Sequence, residues 1–354
     1  MAQSSFVYAG AAHWTSRRDT AHPGGLLRQT VGDPHWQSLA HGLPQGAEIR
    51  AIAVHPQEAQ VVYAGTNHGP YRSTDSGEHW ERLDFPDPGM VVWSLLFHPT
   101  NPQILYVGTA PAAIYRSTNG GDSWKRLSMC ESAGAVNMGF PVRVIRLAAD
   151  PTNPDELYAG LEVSGVIRSL DGGETWSDCS RDLLRLAQQE HLKSRIGSDT
   201  DIEGMMDSHA LVVSAAQPGS VFLATRMGLF CSTDRGATWK DIEVGRFSPL
   251  TYARDVQVSP QDPRVLYAAL SPAARSEAGS LYRSHDLGQT WQRFDHDVTA
   301  HSTMMAVALH PRDAKQVYCA TRGGQVFGTQ DGGTTWHETP LPTGLQDVYA
   351  LACG

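Results

Sequence analysis

The sequence predicts an all-β fold: a seven-bladed β-propeller of four-stranded antiparallel blades with velcro closure between the N- and C-termini. Three observations carry that expectation. One phrase recurs six times, as YRSTDSGEHW ending at Trp80, YRSTNGGDSW at Trp124, IRSLDGGETW at Trp176, FCSTDRGATW at Trp239, YRSHDLGQTW at Trp291 and FGTQDGGTTW at Trp336. The intervals between those tryptophans, 44, 52, 63, 52 and 45 residues, fit one four-stranded blade plus insertions. The two chain ends hold the parts of one further unit, so that residues 345–354 and 1–40 complete the ring within a single domain covering 1–354.

Within each repeat, an apolar stretch ending in a His-Pro-like turn, such as IRAIAVHP or VVWSLLFHP, supplies the innermost strand. VVYAGT or ILYVGT follows as the second strand, the YRS segment as the third, and WERL or WKRL as a short outermost one. Alternating apolar residues bounded by Gly, Pro, Asn and Asp are strand and hairpin signals, and 34 Gly with 21 Pro supply the turns. In the recurrent phrase the Asp accepts hydrogen bonds from turn amides, the Gly permits positive φ and the Trp covers the flank of the blade. Asn119 stands in for Asp in the second copy. At the termini, FVYAG (Phe6 to Gly10) matches a second strand, LLRQT a third and HWQSL an outermost one, and DVYALAC (Asp347 to Cys353) supplies the first. That pairing closes the ring and removes its open sheet edges.

The formal net charge of −9 argues against a broad nucleic-acid or anionic-membrane surface, because phosphate recognition needs clustered positive charge. Met1 to Gly10 shows no basic stretch followed by an apolar run, and no window reaches the length of a membrane span, so a cytoplasmic location is expected. Five cysteines without a CxxC pair indicate reduced thiols, not a disulfide framework or a zinc knuckle.

In such a ring the loops joining strands two to three, and strand four to the next blade, share one face around the axial pore. That is where a site is expected. The two long connections, 128–141 and 179–208, fall on this face, the second with a helical segment DLLRLAQQEHLKSR. Aligning the repeats places Asn67, Glu162, Arg226 and Arg322 just after the second strands. Near the starts of the innermost strands stand Tyr349, Arg50, Trp93, His209, Arg254 and Met305. Arg50, Arg226, Arg254 and Arg322, concentrated here in an acidic protein, predict a small anionic ligand held bidentately, with Asn67 and Trp93 as further binding residues. Glu162, His209 and Tyr349 are the candidate catalytic groups. His13, His68, His209 and His301 fall on the same face and would converge on a divalent transition metal, whereas His55, His98 and His310 belong to turns on the opposite face. Trp14 and Trp93 fit either an enzyme pore or an aromatic binding surface on this face.

The repeated Ser/Thr-x-Asp-x-Gly-x-x-Trp resembles the Asp-box (BNR) repeat over nearly the whole chain. Its superfamily includes sialidases, xyloglucan-cleaving glycosidases, sortilin-type receptors and a photosystem assembly factor. The resemblance implies the propeller fold and leaves the function open. Sialidases have six blades, a Phe-Arg-Ile-Pro motif and an arginine triad, from which Phe140-Pro141-Val142-Arg143 departs. A glycosidase needs paired carboxylates, for which Glu162, Glu203 and Asp207 are the pore-face acids. The principal expectation is a cytoplasmic hydrolase or lyase acting on a small anionic substrate in the pore, with a metal as an optional aid. The alternatives are a non-catalytic propeller binding a protein or glycan, and a BNR-type glycosidase.

Overall fold

The computed structural model describes residues 5–13 and 24–354; Trp14 lies outside the described residues. Seven four-stranded antiparallel sheets surround a common axis. Blades 2 to 7 each use four consecutive strands, with innermost strands at Ile49–Val54, Val91–Phe97, Val144–Ala149, Ser208–Ser214, Tyr252–Val258 and Met304–Leu309. Blade 1 is assembled from both ends of the chain. Val348–Cys353 pairs antiparallel with Phe6–Ala11 in the register Val7↔Cys353 and Ala9↔Leu351, and Gly25–Thr30 and Trp36–Ser38 complete the sheet. The Phe6 and Gly354 backbones exchange hydrogen bonds of 2.8 and 3.1 Å at the end of this seam. The closure expected from the terminal strand patterns is thus present.

Apolar residues of successive blades interleave to form the core; Tyr8, Leu26 and Leu39 of blade 1 pack with Val62, Tyr71 and Trp80 of blade 2. The recurrent turn sets this spacing. In blade 2, Asp75 Oδ1 accepts from the His79 amide at 2.9 Å, and Ser73 Oγ accepts from the Gly77 amide at 2.8 Å. Gly77 has φ +95°, and a Cβ there would stand 2.6 Å from Leu39 of the preceding blade, so both conformation and close approach require glycine. Asn119 reproduces the pattern because only its Oδ1 is needed, accepting from the Ser123 amide at 3.0 Å.

The innermost strands end in turns capped by a side chain. His55 Nδ1 accepts from the Glu58 amide at 3.0 Å and His98 Nδ1 from the Asn101 amide at 3.2 Å, while Asp150 does the same in blade 4 through the Thr152 amide at 2.7 Å. These imidazoles therefore serve the turns.

The connection 179–208 differs from its expectation. The segment DLLRLAQQEHLKSR forms one short helix, α1 (Arg181–Leu186), and then a separate 3₁₀ turn at Glu190–Leu192. A straight helix would place Leu192, nine residues on, opposite Leu183. The extended backbone at Gln189 breaks the helix and lets Leu183, Leu186 and Leu192 all enter one core. A second short helix, α2 (Glu203–Met206), adds Met205 and Met206 to it, together with Val136 from the other long connection. The two insertions thereby become a packed cover over blades 4 and 5.

Candidate active site

Every innermost strand carries a register shift at the same height, skipping one residue in the pairing with its neighbour. The skipped residues, in blade order, are Tyr349, Arg50, Trp93, Ile145, His209, Arg254 and Met305. A bulge re-aims a side chain, and here all seven line one axial cavity of about 90 Å³. Repeat alignment anticipated six of them. Counting five residues back from the Asp150 turn would also have reached Ile145, whose apolar character hid it.

Outward of this ring, beneath the insertions, lies a second cavity of about 360 Å³. Trp93, His209, Arg254 and Tyr349 border both cavities and form the partition between them. Glu162, Asp207 and Arg226 face the outer one, as do Phe140 and Arg143. The Arg143 guanidinium lies against Trp93 and Phe140, with centroid distances of 4.6 and 4.5 Å, and donates to Glu162 Oε2 at 2.7 Å. Arg226 bridges two acids, donating to Glu203 Oε1 at 2.9 Å and Asp207 Oδ2 at 2.7 Å. Glu203 is also the anchor of the covering loop. Its Oε2 accepts from the Ile196, Gly197 and Ser198 amides at 3.0, 2.9 and 2.8 Å.

The carboxyl groups are driven in opposite directions. Burial, reinforced by the charge of Asp207, pushes the Glu162 pKa up to about 7 against the opposing pull of Arg143 and Arg254. Burial also opposes ionisation of Asp207, but His209, Arg226 and Arg254 outweigh it and hold this carboxyl at about 2. His209 Nδ1 lies 2.7 Å from the Ala253 carbonyl and Nε2 lies 3.3 Å from Asp207 Oδ2. Burial lowers the imidazole pKa while Asp207 draws it back up. Near neutrality the site therefore combines a carboxyl able to hold a proton with a carboxylate that stays ionised.

Other expected residues are occupied differently. Arg226 is committed to two acids, and Arg322 pairs with Asp347 at 3.2 Å, so both of these expected anion-binding arginines already have carboxylate partners. Asn67 Oδ1 accepts from the Glu48 amide at 3.0 Å, a backbone tie. Arg50 is held by Glu48 Oε2 at 2.5 Å while its guanidinium lies over Trp93. The four histidines expected around a metal are dispersed. His13 is bound to Glu48 Oε1 at 2.7 Å, His68 and His301 are exposed, and His209 is buried with Asp207. Among the described residues no group of three or more His, Cys, Asp or Glu is arranged to hold a metal ion.

Seven four-stranded blades, six of which turn from their third to their outermost strand through an Asp box, define the class: the chain is a β-propeller of the Asp-box (BNR) repeat superfamily. The Sortilin-Vps10 family model (sortilin, neurotensin receptor 3) matches residues 279–352. A xyloglucanase of Hypocrea jecorina is 25% identical over 343 residues, covering 88% of this chain and 35% of its own length. A probable oligoxyloglucan-reducing end-specific xyloglucanase of Neosartorya fischeri is 26% identical over 253 residues, 67% of this chain and 29% of that protein. The chain thus spans about a third of the length of these curated relatives. Among solved structures, the GH74 xyloglucanase from Xanthomonas campestris superimposes with TM-score 0.66 at 19% identity, covering 99% of this chain and 52% of the other. YCF48 from Cyanidioschyzon merolae gives TM-score 0.54 at 16% identity, covering 85% of this chain and 86% of the other.

Proposed function

We propose that the outer cavity is the active site of a glycoside hydrolase, in which Glu162 protonates the leaving glycosidic oxygen and Asp207 acts as the ionised partner carboxylate. The observation that carries this reading is the placement of two carboxyl groups in one cavity, where burial favours the proton on Glu162 against the pull of Arg143 while Arg226 with His209 keeps Asp207 ionised. The rings of Trp93, Phe140 and Tyr349 add apolar surface to the cavity lining. The likeness to xyloglucanases supports the class of reaction. A cavity of about 360 Å³ under a packed cover suits a short saccharide or a chain end, not the middle of a polymer. The expected small-molecule hydrolase or lyase gives way to this alternative, and the expected anionic partner narrows to a saccharide. No step calls on a metal.

The test is release of reducing ends from a panel of oligosaccharides and aryl glycosides. Wild type is expected to turn over at least one class, and E162Q to lose about 10²–10⁴-fold in rate while still binding. A wild type inactive on every saccharide overturns the reading. A second reading, a propeller that holds a peptide, is favoured by one observation. YCF48, solved bound to D1 peptide, is matched over 81% of its length, close to a whole-chain correspondence. Peptide binding unaffected by E162Q, without hydrolysis, would establish that alternative.

A further inference from the structure

We propose that Arg254 recognises a carboxylate on the saccharide, so that the substrate is a glycoside carrying a uronic-acid-type sugar. This inference rests on the glycosidase reading, and it specifies the substrate class that the same cavity takes.

Arg254 is the bulge residue of blade 6, only 9% exposed, and it borders both cavities. The guanidinia of Arg143, Arg226 and Arg50 around it each have a carboxylate partner, in Glu162, in Glu203 with Asp207, and in Glu48. Arg254 has neither a hydrogen bond nor an ion pair to any of the described residues. Its guanidinium instead lies over the ring of Tyr349, 5.7 Å from centroid to Cζ. A buried guanidinium with open donors is costly unless an acceptor completes it.

The inner cavity and its partition carry several donors without acceptors. Besides Arg254, the buried Nε and Nη1 of Arg50 and Nε1 of Trp93 have no hydrogen-bond partner among the described residues. A sugar hydroxyl brings a donor as well as an acceptor, whereas a carboxylate only accepts, and it matches the planar fork of arginine in two parallel bonds. The charges facing Arg254 are those of Asp207 and Glu162 and the cation of Arg322, itself paired with Asp347, with His209, Tyr252 and Tyr349 beside them. Asp207 is already neutralised by Arg226, and Glu162 by Arg143 or by its own proton. Because burial raises the Glu162 pKa, protonation there removes the remaining repulsion, and uptake of the acidic sugar tightens as pH falls through about 7.

The experiment compares binding of methyl glucuronide and methyl glucoside to the folded protein by calorimetry, using wild type, R254K and R254M, with reducing-end assays on glucuronide-terminated and neutral oligosaccharides in parallel. Wild type should bind the glucuronide roughly tenfold more tightly than the glucoside or better, R254M should lose the preference, and R254K should keep an intermediate one. Equal binding of the two sugars by wild type, or a preference that persists in R254M, overturns the proposal. If R254M does not fold, a full wild-type preference in R254K is the overturning result. Hydrolysis of neutral saccharides without an acidic preference would leave the glycosidase reading standing and remove this inference. Arg254-dependent glucuronide binding without hydrolysis would do the reverse.

Discussion

The Tyr63 hydroxyl of blade 2 donates to the Gly120 carbonyl of blade 3, 2.7 Å away across the joint between blades. Arg72 reaches the same carbonyl at 3.1 Å. The residue after the box Asp or Asn receives an equivalent arginine at three further joints: Ser76 from Arg28 at 2.7 Å, Gly172 from Arg116 at 3.0 Å and Arg235 from Arg168 at 2.9 Å. The box therefore shapes its own turn and also offers a carbonyl to the preceding blade. Tyr63→Phe should lower stability by about 1 kcal/mol in urea unfolding, since the carbonyl keeps Arg72, without changing ligand binding at the pore.

The box carboxylates couple stability to pH. Asp75 and Asp331 are held at about 2, below their ordinary 3.8. Burial opposes this at Asp75 but is outweighed by the His79 amide and ring; at Asp331 the Thr335 hydroxyl and amide lead. A depressed folded-state value contributes stability above the unfolded pKa, which is lost as pH falls from about 4 towards 2. The D75N/D331N variant, imitating Asn119, should show a shallower loss of melting temperature across that window. An unchanged slope would remove the boxes from the acid response.

The proposed chemistry has a pH signature of its own. Glu162 must be protonated to act as an acid, so turnover should decline as pH rises through about 7, while Asp207 remains ionised down to about 2. Replacing Arg143 with Met removes a positive charge that favours ionised Glu162 and should shift the alkaline limb upward. A shift downward would contradict the assignment.

Closure depends on the last strand. Deleting residues 347–354 removes the partner of Phe6–Ala11 and leaves that strand as an open edge. The truncated protein should melt sharply lower and self-associate in size-exclusion chromatography. An unchanged melting curve and elution volume would mean that the seam contributes little.

Much of this architecture was legible from local chemistry. Ser73, Asp75, Gly77 and Trp80 lie within eight residues and act largely on one another, so their pattern survives in the sequence. Counting from the turns placed Arg50, Trp93, His209, Arg254, Met305 and Tyr349 at one level, but the bulges that aim them depend on a register between strands. Which arginine is open to a ligand was not legible at all. Arg226 is closed off by Glu203 and Asp207, both from an insertion whose path depends on burying Leu192 beside Leu183. Pairing of that kind is decided by three-dimensional packing, and no spacing rule reports it.

The seven bulges divide the chain into two kinds of position. Ladder residues on either side keep the hydrogen bonds that hold a blade, whereas the skipped residue in each blade is released from the ladder and faces the axis. Tyr, Arg, Trp, Ile, His, Arg and Met occupy equivalent places on scaffolds that otherwise repeat one another. Folding and selectivity can therefore drift apart over generations. A relative could exchange its cargo by rewriting a seven-letter word, one letter per blade, while every sheet continues to be built from the same instructions.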